Sequence, residues 1–136
     1  MNPDKHQAAA DELVRNARAL RVPVAGLSMG RKWTEAAAVQ VTGVLHRTPR
    51  LGDVVLARTP TGRIVHRVIW RRSSAGRREW LTLGDGNATF DHWLAGDAVL
   101  GVVTSVEDSG GGVRLVRRWA GLLRGWRRLL VRQAGW

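Results

Sequence analysis

Between Val39 and Val106 the chain is a succession of short apolar runs, and this pattern limits the fold more than any other feature of the sequence. The runs are rich in valine, isoleucine, leucine and tryptophan, as β-strands are. Gly, Pro, Asp, Asn and Ser fill the segments between them, as turns require. Five strands are predicted: AVQVTGVL at 38–45, DVVLAR at 53–58, RIVHRVIWR at 63–71, EWLTL at 79–83 and AVLGVVTSV at 98–106. The sequence therefore predicts a mainly β fold class, a small domain with a mostly antiparallel sheet.

The core of this domain has to form without covalent cross-links. The chain has 136 residues and no cysteine, which excludes disulfides, thiolate metal sites and a cysteine nucleophile. Metal-ligand spacing is also missing among the four histidines, His6, His46, His66 and His92. A single domain of this length buries about two-thirds of the surface of its unfolded chain. We therefore expect one domain with its own hydrophobic core and no cofactor.

A helix is predicted before the β region. Residues 4–20 show apolar side chains at helical spacing, with Asp4 as the cap and Pro23 after the last turn. The apolar positions are Ala10, Leu13, Val14, Ala17 and Leu20. We therefore assign residues 1–21 to an N-terminal helix and residues 22–106 to the β domain.

A second helix is predicted after the β region. Three consecutive glycines make residues 107–112 a predicted linker, because ordering them costs backbone entropy. Residues 113–136 then carry leucine and tryptophan on one face and arginine on the other, which predicts a basic amphipathic helix. Its apolar face comprises Leu115, Trp119, Leu122, Trp126, Leu129 and Leu130, and Gly121 and Gly125 fall on the polar side.

The net charge of +11 lies mainly in this tail. Residues 113–136 carry seven arginines and no acid, which leaves 15 basic and 11 acidic side chains, a net charge of +4, in the first 112 residues. Three interpretations stay open for the tail: an anionic membrane surface, a protein partner, or packing on its own domain. Nucleic acid is disfavoured as a partner because no reader motif accompanies the basic segment.

No segment of the sequence predicts a membrane span or a secretory signal. The longest stretch without Asp, Glu, Lys or Arg is Ala36–His46, which is eleven residues, whereas a spanning helix needs about 20 apolar residues. The first 20 residues mix both signs of charge and contain no continuous apolar run. The expected location is the cytoplasm, with peripheral membrane association through the tail as an alternative.

One serine, Ser28, lies in the segment VPVAGLSMGRKW at 22–33, and an ordered series of motifs follows it. The series is LGDVV at 51–55, VHRVI at 65–69, LGDGNATFD at 83–91 and VLGVV at 99–103. In this order the motifs resemble those of the type I signal peptidase family, whose relatives include the self-cleaving repressors of the SOS type. The resemblance covers residues 24–104.

The resemblance implies a catalytic domain of signal-peptidase type and a serine endopeptidase that cleaves a precursor or leader peptide. In that family a Gly-x-Ser-Met segment carries the nucleophile, which here is Ser28. The subgroup that resembles archaeal and endoplasmic-reticulum enzymes has its base in a His-Arg-Val/Ile context, which here is His66. Its Gly-Asp-x-Asn segment and a following Asp match Asp85 and Asp91. The substrate is expected to contact Gly26 and Met29.

The chemistry of amide hydrolysis accounts for these residue types. A serine hydroxyl is a weak nucleophile unless a base takes its proton, and an imidazole with a reference pKa near 6.5 both accepts that proton and returns it to the leaving amine. A carboxylate then fixes the histidine tautomer; Asp85 is the first candidate and Asp91 the second. The backbone N–H of Ser28 is the expected oxyanion donor, and Gly26 lets the substrate backbone approach closely.

Each motif also has a purely structural interpretation. His66 lies in an alternating strand and suits a structural histidine, GDGN suits a tight turn, Asp91 suits a helix cap, and Asp53 suits a turn at the start of a strand. The family motif continues Ser-Met-x-Pro, but Arg31 stands at the proline position, so the backbone after Ser28 is less restrained. The alternatives to a peptidase are therefore an inactive peptide-binding module on the same fold, or a peripheral membrane or partner scaffold that uses the tail.

Overall fold

The computed structural model describes residues 3–24, 36–60, 62–83, 93–117, 122–123, 125–127 and 130. Within them the chain forms helix α1 (Pro3–Asn16) and eight strands. The strands are β1 (Leu20–Pro23), β2 (Ala36–Gly43), β3 (Val54–Thr59), β4 (Gly62–Ser74), β5 (Arg77–Leu83), β6 (Trp93–Ala95), β7 (Val99–Asp108) and β8 (Val113–Leu115). A short 3₁₀ turn, Gly96–Ala98, connects β6 to β7.

The eight strands belong to one sheet in which every described pairing is antiparallel. The order is β1-β2-β7-β3-β4-β5-β6, and β8 pairs with β7 beyond the end of β3. Register shifts interrupt the β2–β7, β3–β7 and β4–β5 ladders, and such irregularities bend strands and increase their twist. The sheet is curled into a half barrel. The predicted fold class, a mainly β domain with an antiparallel sheet and an N-terminal helix, is confirmed.

The five predicted strands are confirmed within a few residues as β2, β3, β4, β5 and β7. The sequence did not predict β1, β6 and β8, each of which has only three or four residues. A segment of that length is too short to show an alternating apolar pattern. These short strands extend or flank the sheet that the longer ones define.

Apolar side chains are buried on both faces of the sheet. On one face, Val22 of β1 and Val65 of β4 belong to one hydrophobic cluster together with Val14 of α1. Residues of β2, β7 and β3 complete this cluster, so it runs without a break across one face of the sheet from β1 to β4. On the other face, Trp80 lies in a second cluster with Val55 and three further valines. Burial of each such valine or leucine side chain contributes roughly 1.5–3 kcal/mol.

The prediction of a helix through residue 20 is wrong in its last turn. Helix α1 ends at Asn16, whose Nδ2 donates to Glu12 O at 2.8 Å, and residues 20–23 form β1 instead. Pairing with β2 gives this segment a ladder of backbone hydrogen bonds and buries Val22. Leu13, which was predicted on the apolar face, is 72% exposed, because only the flank that carries Val14 faces the sheet.

An ionic cluster joins α1 to the hairpin of β3 and β4. The Asp11 carboxylate is 6% exposed and accepts hydrogen bonds from Arg58 Nε and Nη2, both at 2.8 Å, and from Arg63 Nε and Nη2 at 3.0 and 2.9 Å. Burial raises the pKa of the Asp11 carboxyl, but the hydrogen bonds and charges of the two arginines outweigh it and hold the pKa below its ordinary value. One ionised carboxylate therefore links α1 to both strands of this hairpin, in addition to the packing of Val14.

The predicted linker and the start of the predicted tail helix are wrong. Strand β7 continues to Asp108 and pairs with β8, so residues 109–112 connect a hairpin. Gly111 has a φ of 92°, and the Asp108 N–H donates to Gly112 O at 2.7 Å. Glycine tolerates this left-handed conformation at little cost, which explains the run of glycines. Leu115 is consequently an exposed strand residue rather than part of a helical apolar face.

Part of the remaining tail packs on its own domain. Residues 122–123, 125–127 and 130 have helical backbone geometry, and the other positions of the predicted helix after residue 117 lie outside the described residues. Leu122 is buried, and Trp126 Nε1 donates to Ile69 O at 2.7 Å. A Cβ at Gly125 would overlap Ile69 Cγ2, so this glycine permits close approach to β4. Its predicted place on a solvated polar side is therefore wrong.

Replacing Asp11 with asparagine is expected to lower the free energy of unfolding at neutral pH by about 3 kcal/mol, because two partly buried guanidinium groups lose their counter-charge. The folded-state pKa of Asp11 is lowered, so its contribution is fully present above the unfolded pKa, about 3.9, and is lost as pH falls through the folded pKa. Urea unfolding at pH 7 and at successively lower pH measures both effects. Glu12→Gln, which removes an exposed carboxylate paired with Arg15, is the control and should change stability by less than about 1 kcal/mol. Equal losses for the two variants would contradict this assignment.

Candidate active site

His66 lies in β4, in the middle of the sheet between β3 and β5. It is opposite Val55 of β3 and is 5% exposed. Because side chains alternate along a strand, His66 shares a face with Val68, which packs in the cluster of Val55 and Trp80. Packing on this face restricts the orientations that the imidazole can adopt.

Arg67 holds the same strand from the opposite face. It is 3% exposed, and its Nη1 donates to Gly52 O at 2.8 Å and to Arg117 O at 3.0 Å. One guanidinium thus ties β4, next to His66, to the turn before β3 and to the segment after β8. Arg67 belongs to the motif VHRVI, but its contacts were not predictable from sequence, because its two acceptors are 15 and 50 residues away along the chain.

The motif LGDVV packs directly beside VHRVI. The Gly52 N–H donates to Val68 O at 2.7 Å, and the Val68 N–H donates to Asp53 O at 2.8 Å. The buried Asp53 carboxylate accepts from the Arg50 N–H at 2.8 Å and from Arg47 Nη2 at 3.2 Å. The predicted role of Asp53 as a turn residue at the start of a strand is confirmed. The turn fixes the strand two residues from His66.

The motifs VLGVV and LGDGNATFD contribute to the strands on either side of β3 and β4. Val102 and Val103, from the motif VLGVV in β7, pair with Val55 and Val54 of β3. Leu83, the first residue of LGDGNATFD, is the last residue of β5 and lies opposite Arg67. The described parts of four separate motifs therefore occupy adjacent strands around His66.

The other predicted site residues lie outside the described residues: Ser28, Gly26, Met29, Asp85 and Asp91, together with Arg31. The chain is described up to Val24, whose N–H donates to Ala37 O at 3.0 Å, and again from Ala36. It is described up to Leu83 and again from Trp93, which pairs with Leu81. Of the predicted catalytic set, His66 is the member whose position the structure describes.

Thr82 lies on the same face of the sheet as His66. It pairs with Val68, it is fully buried, and its Oγ1 has no hydrogen-bond partner among the described residues. Thr82 and His66 are thus diagonal neighbours on adjacent strands, a relation that corresponds to a separation of about 7–8 Å. A buried hydroxyl without a partner costs roughly 1–3 kcal/mol. The sequence carries no signal for this position, because threonine is common in strands.

An open apolar groove lies between α1 and β1. It has a volume of about 520 Å³. Its lining includes Leu13, Val14, Leu20, Val22 and Pro23. Strand β1 forms one wall of the groove and is the last strand at that end of the sheet order.

Comparisons with protein-family models, with curated proteins and with solved structures gave no match. Within the described residues, no helix combines the length and the hydropathy that crossing a bilayer requires.

Thr82→Val is expected to raise the free energy of unfolding by about 1 kcal/mol, because valine has nearly the same shape and removes a buried hydroxyl that lacks a partner. Thermal unfolding of the variant and of the wild type measures the difference. Thr104→Val is the matched control, since Thr104 Oγ1 donates to Gln40 O at 3.4 Å; it should not be stabilising. A loss of stability in Thr82→Val would show that the Thr82 hydroxyl has a partner in solution.

Proposed function

We propose that the protein is a serine endopeptidase of signal-peptidase type. Ser28 is the nucleophile, His66 is the general base, and Asp85 orients the imidazole, with Asp91 as the alternative carboxylate. The observation that carries the proposal is the convergence of separate motifs on the strands around His66. Segments that are far apart in sequence but adjacent in space are typical of a site assembled from several elements.

The end of β5 supports the assignment of a carboxylate to this site. Leu83 lies opposite Arg67, one residue from His66. Asp85 follows Leu83 by two residues, so their Cα atoms are at most about 7.6 Å apart. Asp91 precedes Trp93 by two residues and is limited in the same way. Asp85 is thus joined to the strand next to that of His66, and Asp91 to β6, one strand further away.

The curl of the sheet supports the proposal that Ser28 can approach His66. In a flat sheet, β1 would lie about 19 Å from β4, four strands away, whereas Ser28 is at most about 15 Å from Val24 along the chain. The sheet is curled into a half barrel rather than flat, so β1 and β4 are closer in space than this. The curl therefore shortens the distance that residues 25–28 have to span.

The groove beside β1 supports a peptide substrate. An extended peptide can add to a strand at the end of a sheet through backbone hydrogen bonds, while its side chains occupy neighbouring pockets. The groove has a mostly apolar lining. It runs along β1, which ends one residue before Val24, and Ser28 follows Val24 by four residues. Apolar side chains in the substrate suit this lining.

The proposed mechanism follows from these roles. Ser28 Oγ attacks the scissile carbonyl while His66 accepts its proton, and the backbone N–H of Ser28 stabilises the oxyanion. His66 then protonates the leaving amine, which leaves an ester on Ser28. A water molecule gives its proton to His66 and attacks the ester, and return of that proton to Ser28 Oγ releases the carboxylic acid.

A peptide-binding module without catalysis is the second candidate. Arg31 favours it, because the family has proline at this position and the backbone after Ser28 is less restrained without it. Such a module would bind the same extended peptides but leave them intact. Binding without cleavage by wild-type protein would therefore favour this candidate over the peptidase.

Ser28→Ala and His66→Ala are each expected to reduce cleavage by at least about 1,000-fold, and the double variant should lose scarcely more than either, because the two groups act as a unit. Wild-type and variant proteins are incubated with a library of precursor leader peptides, and the products are followed by mass spectrometry. Circular dichroism of each variant controls for folding. Losses that multiply in the double variant would argue against a shared proton transfer.

The cleavage rate is expected to rise with pH, because only a neutral imidazole accepts the Ser28 proton. A rate that stays flat from about pH 5 to pH 8 would count against His66 as the base. Asp85→Asn and Asp91→Asn separate the two carboxylates: the one that orients the imidazole should cost about 10,000-fold in rate, and the other far less. Small effects in both variants would remove the carboxylate from the mechanism.

A further inference from the structure

Strands β4 and β5 extend past the start of β3 as a hairpin arm, residues 70–79. Strand β6 pairs with the base of the arm at Glu79, and the tip, residues 73–78, has no further strand beside it among the described residues. Residues 70–78 are consecutively exposed, although they keep a regular antiparallel register. The turn at Ala75 and Gly76 has positive φ at both residues, 51° and 76°, which is the type I′ geometry that matches the twist of a hairpin. The arm is therefore an ordered element with little packing of its own.

The charge of the hairpin arm is strongly positive. It contains four arginines and one acid, Glu79, which pairs with Arg72 at 3.0 Å. Arg71, Arg77 and Arg78 form no ion pair within the part of the chain that the structure describes. Arg71 and Arg78 lie on one face of the arm and Arg77 on the other.

Exposed apolar side chains lie at the base of the arm. Trp70 is 48% exposed and packs edge-on against Trp126, with ring centroids 6.4 Å apart. Leu123, three residues before Trp126, is 61% exposed. The guanidinium of Arg72 stacks over the Trp93 ring at 4.1 Å. The surface thus combines partly exposed indoles, an exposed leucine and arginines without an acidic partner among the described residues, one of which, Arg78, lies over the Trp80 ring at 5.8 Å.

We propose that the hairpin arm, together with Trp70 and Leu123, docks on a membrane surface that carries anionic lipid. Arginine attracts anionic headgroups, and each one near such a surface contributes to binding. Indole rings prefer the boundary between headgroups and acyl chains, where an apolar ring and a polar N–H are both accommodated. Exposed leucine favours lipid over nucleic acid, because a phosphate backbone offers no apolar phase. This proposal does not rest on peptidase activity.

The test is co-sedimentation of the full chain with phosphatidylcholine vesicles that contain about 30% phosphatidylserine. We expect binding that weakens as salt is added, because screening reduces the attraction, and little binding to vesicles of phosphatidylcholine alone. The triple substitution Arg71→Gln, Arg77→Gln and Arg78→Gln should weaken binding about 100-fold. Failure of the wild type to bind the anionic vesicles would overturn the proposal.

The matched control removes the same charge elsewhere. Lys5, Arg18 and Arg50 are exposed, and their combined replacement by glutamine should leave most of the vesicle binding. Equal weakening by both triple variants would mean that net charge, not the arm, drives association, and would overturn the proposal. The proposal would also be overturned if the protein bound duplex DNA more tightly than vesicles and the triple arm variant lost this DNA binding. That result would identify nucleic acid as the partner of the arm.

Discussion

The register of β3 against β4 is the constraint on which the arrangement around His66 depends. Val55 lies opposite His66, and the backbone of Val68 bonds both Gly52 and Asp53 in the turn that starts β3. A slip of one residue would move every side chain of β4 to the other face of the sheet. His66 would then enter the cluster of Val65 and α1, and Arg67 would lose both of its carbonyl acceptors. The turn and the buried arginine therefore define the face on which the candidate base is presented.

The main strands were predictable because their apolar runs are long enough to show a β pattern and are separated by turn residues. The exact end of α1 was not, because Ala17 and Leu20 continue the helical spacing while tertiary pairing with β2 favours a strand. The same competition decides the tail. Leu115 and Leu122 fall on one face of an ideal helix, but the ladder with β7 takes Leu115 into β8, where it is exposed, whereas Leu122 is buried.

For the candidate site, the sequence motifs predicted which segments contribute residues but not which contacts hold these segments in place. Asp53 was predictable as a turn residue because Gly-Asp before an apolar run has a local meaning. Arg67 and Thr82 were not, since their environments are made by strands distant in sequence. Ser28, Asp85 and Asp91 stay predictions, supported by the strand ends to which they are joined. The positive charge also proved less simple than a basic tail: part of the tail packs on β4, and the arm of β4 and β5 carries exposed arginines of its own.

The two carbonyls that accept from Arg67 belong to segments 65 residues apart, at Gly52 and Arg117. A guanidinium deprived of one of them would remain buried with its charge less well solvated, which is costly. Detachment of the segment after β8 is therefore thermodynamically coupled to the strand that carries His66. By reciprocity, a ligand that stabilises β4 in this arrangement also stabilises the packing of the segment after β8 on the sheet.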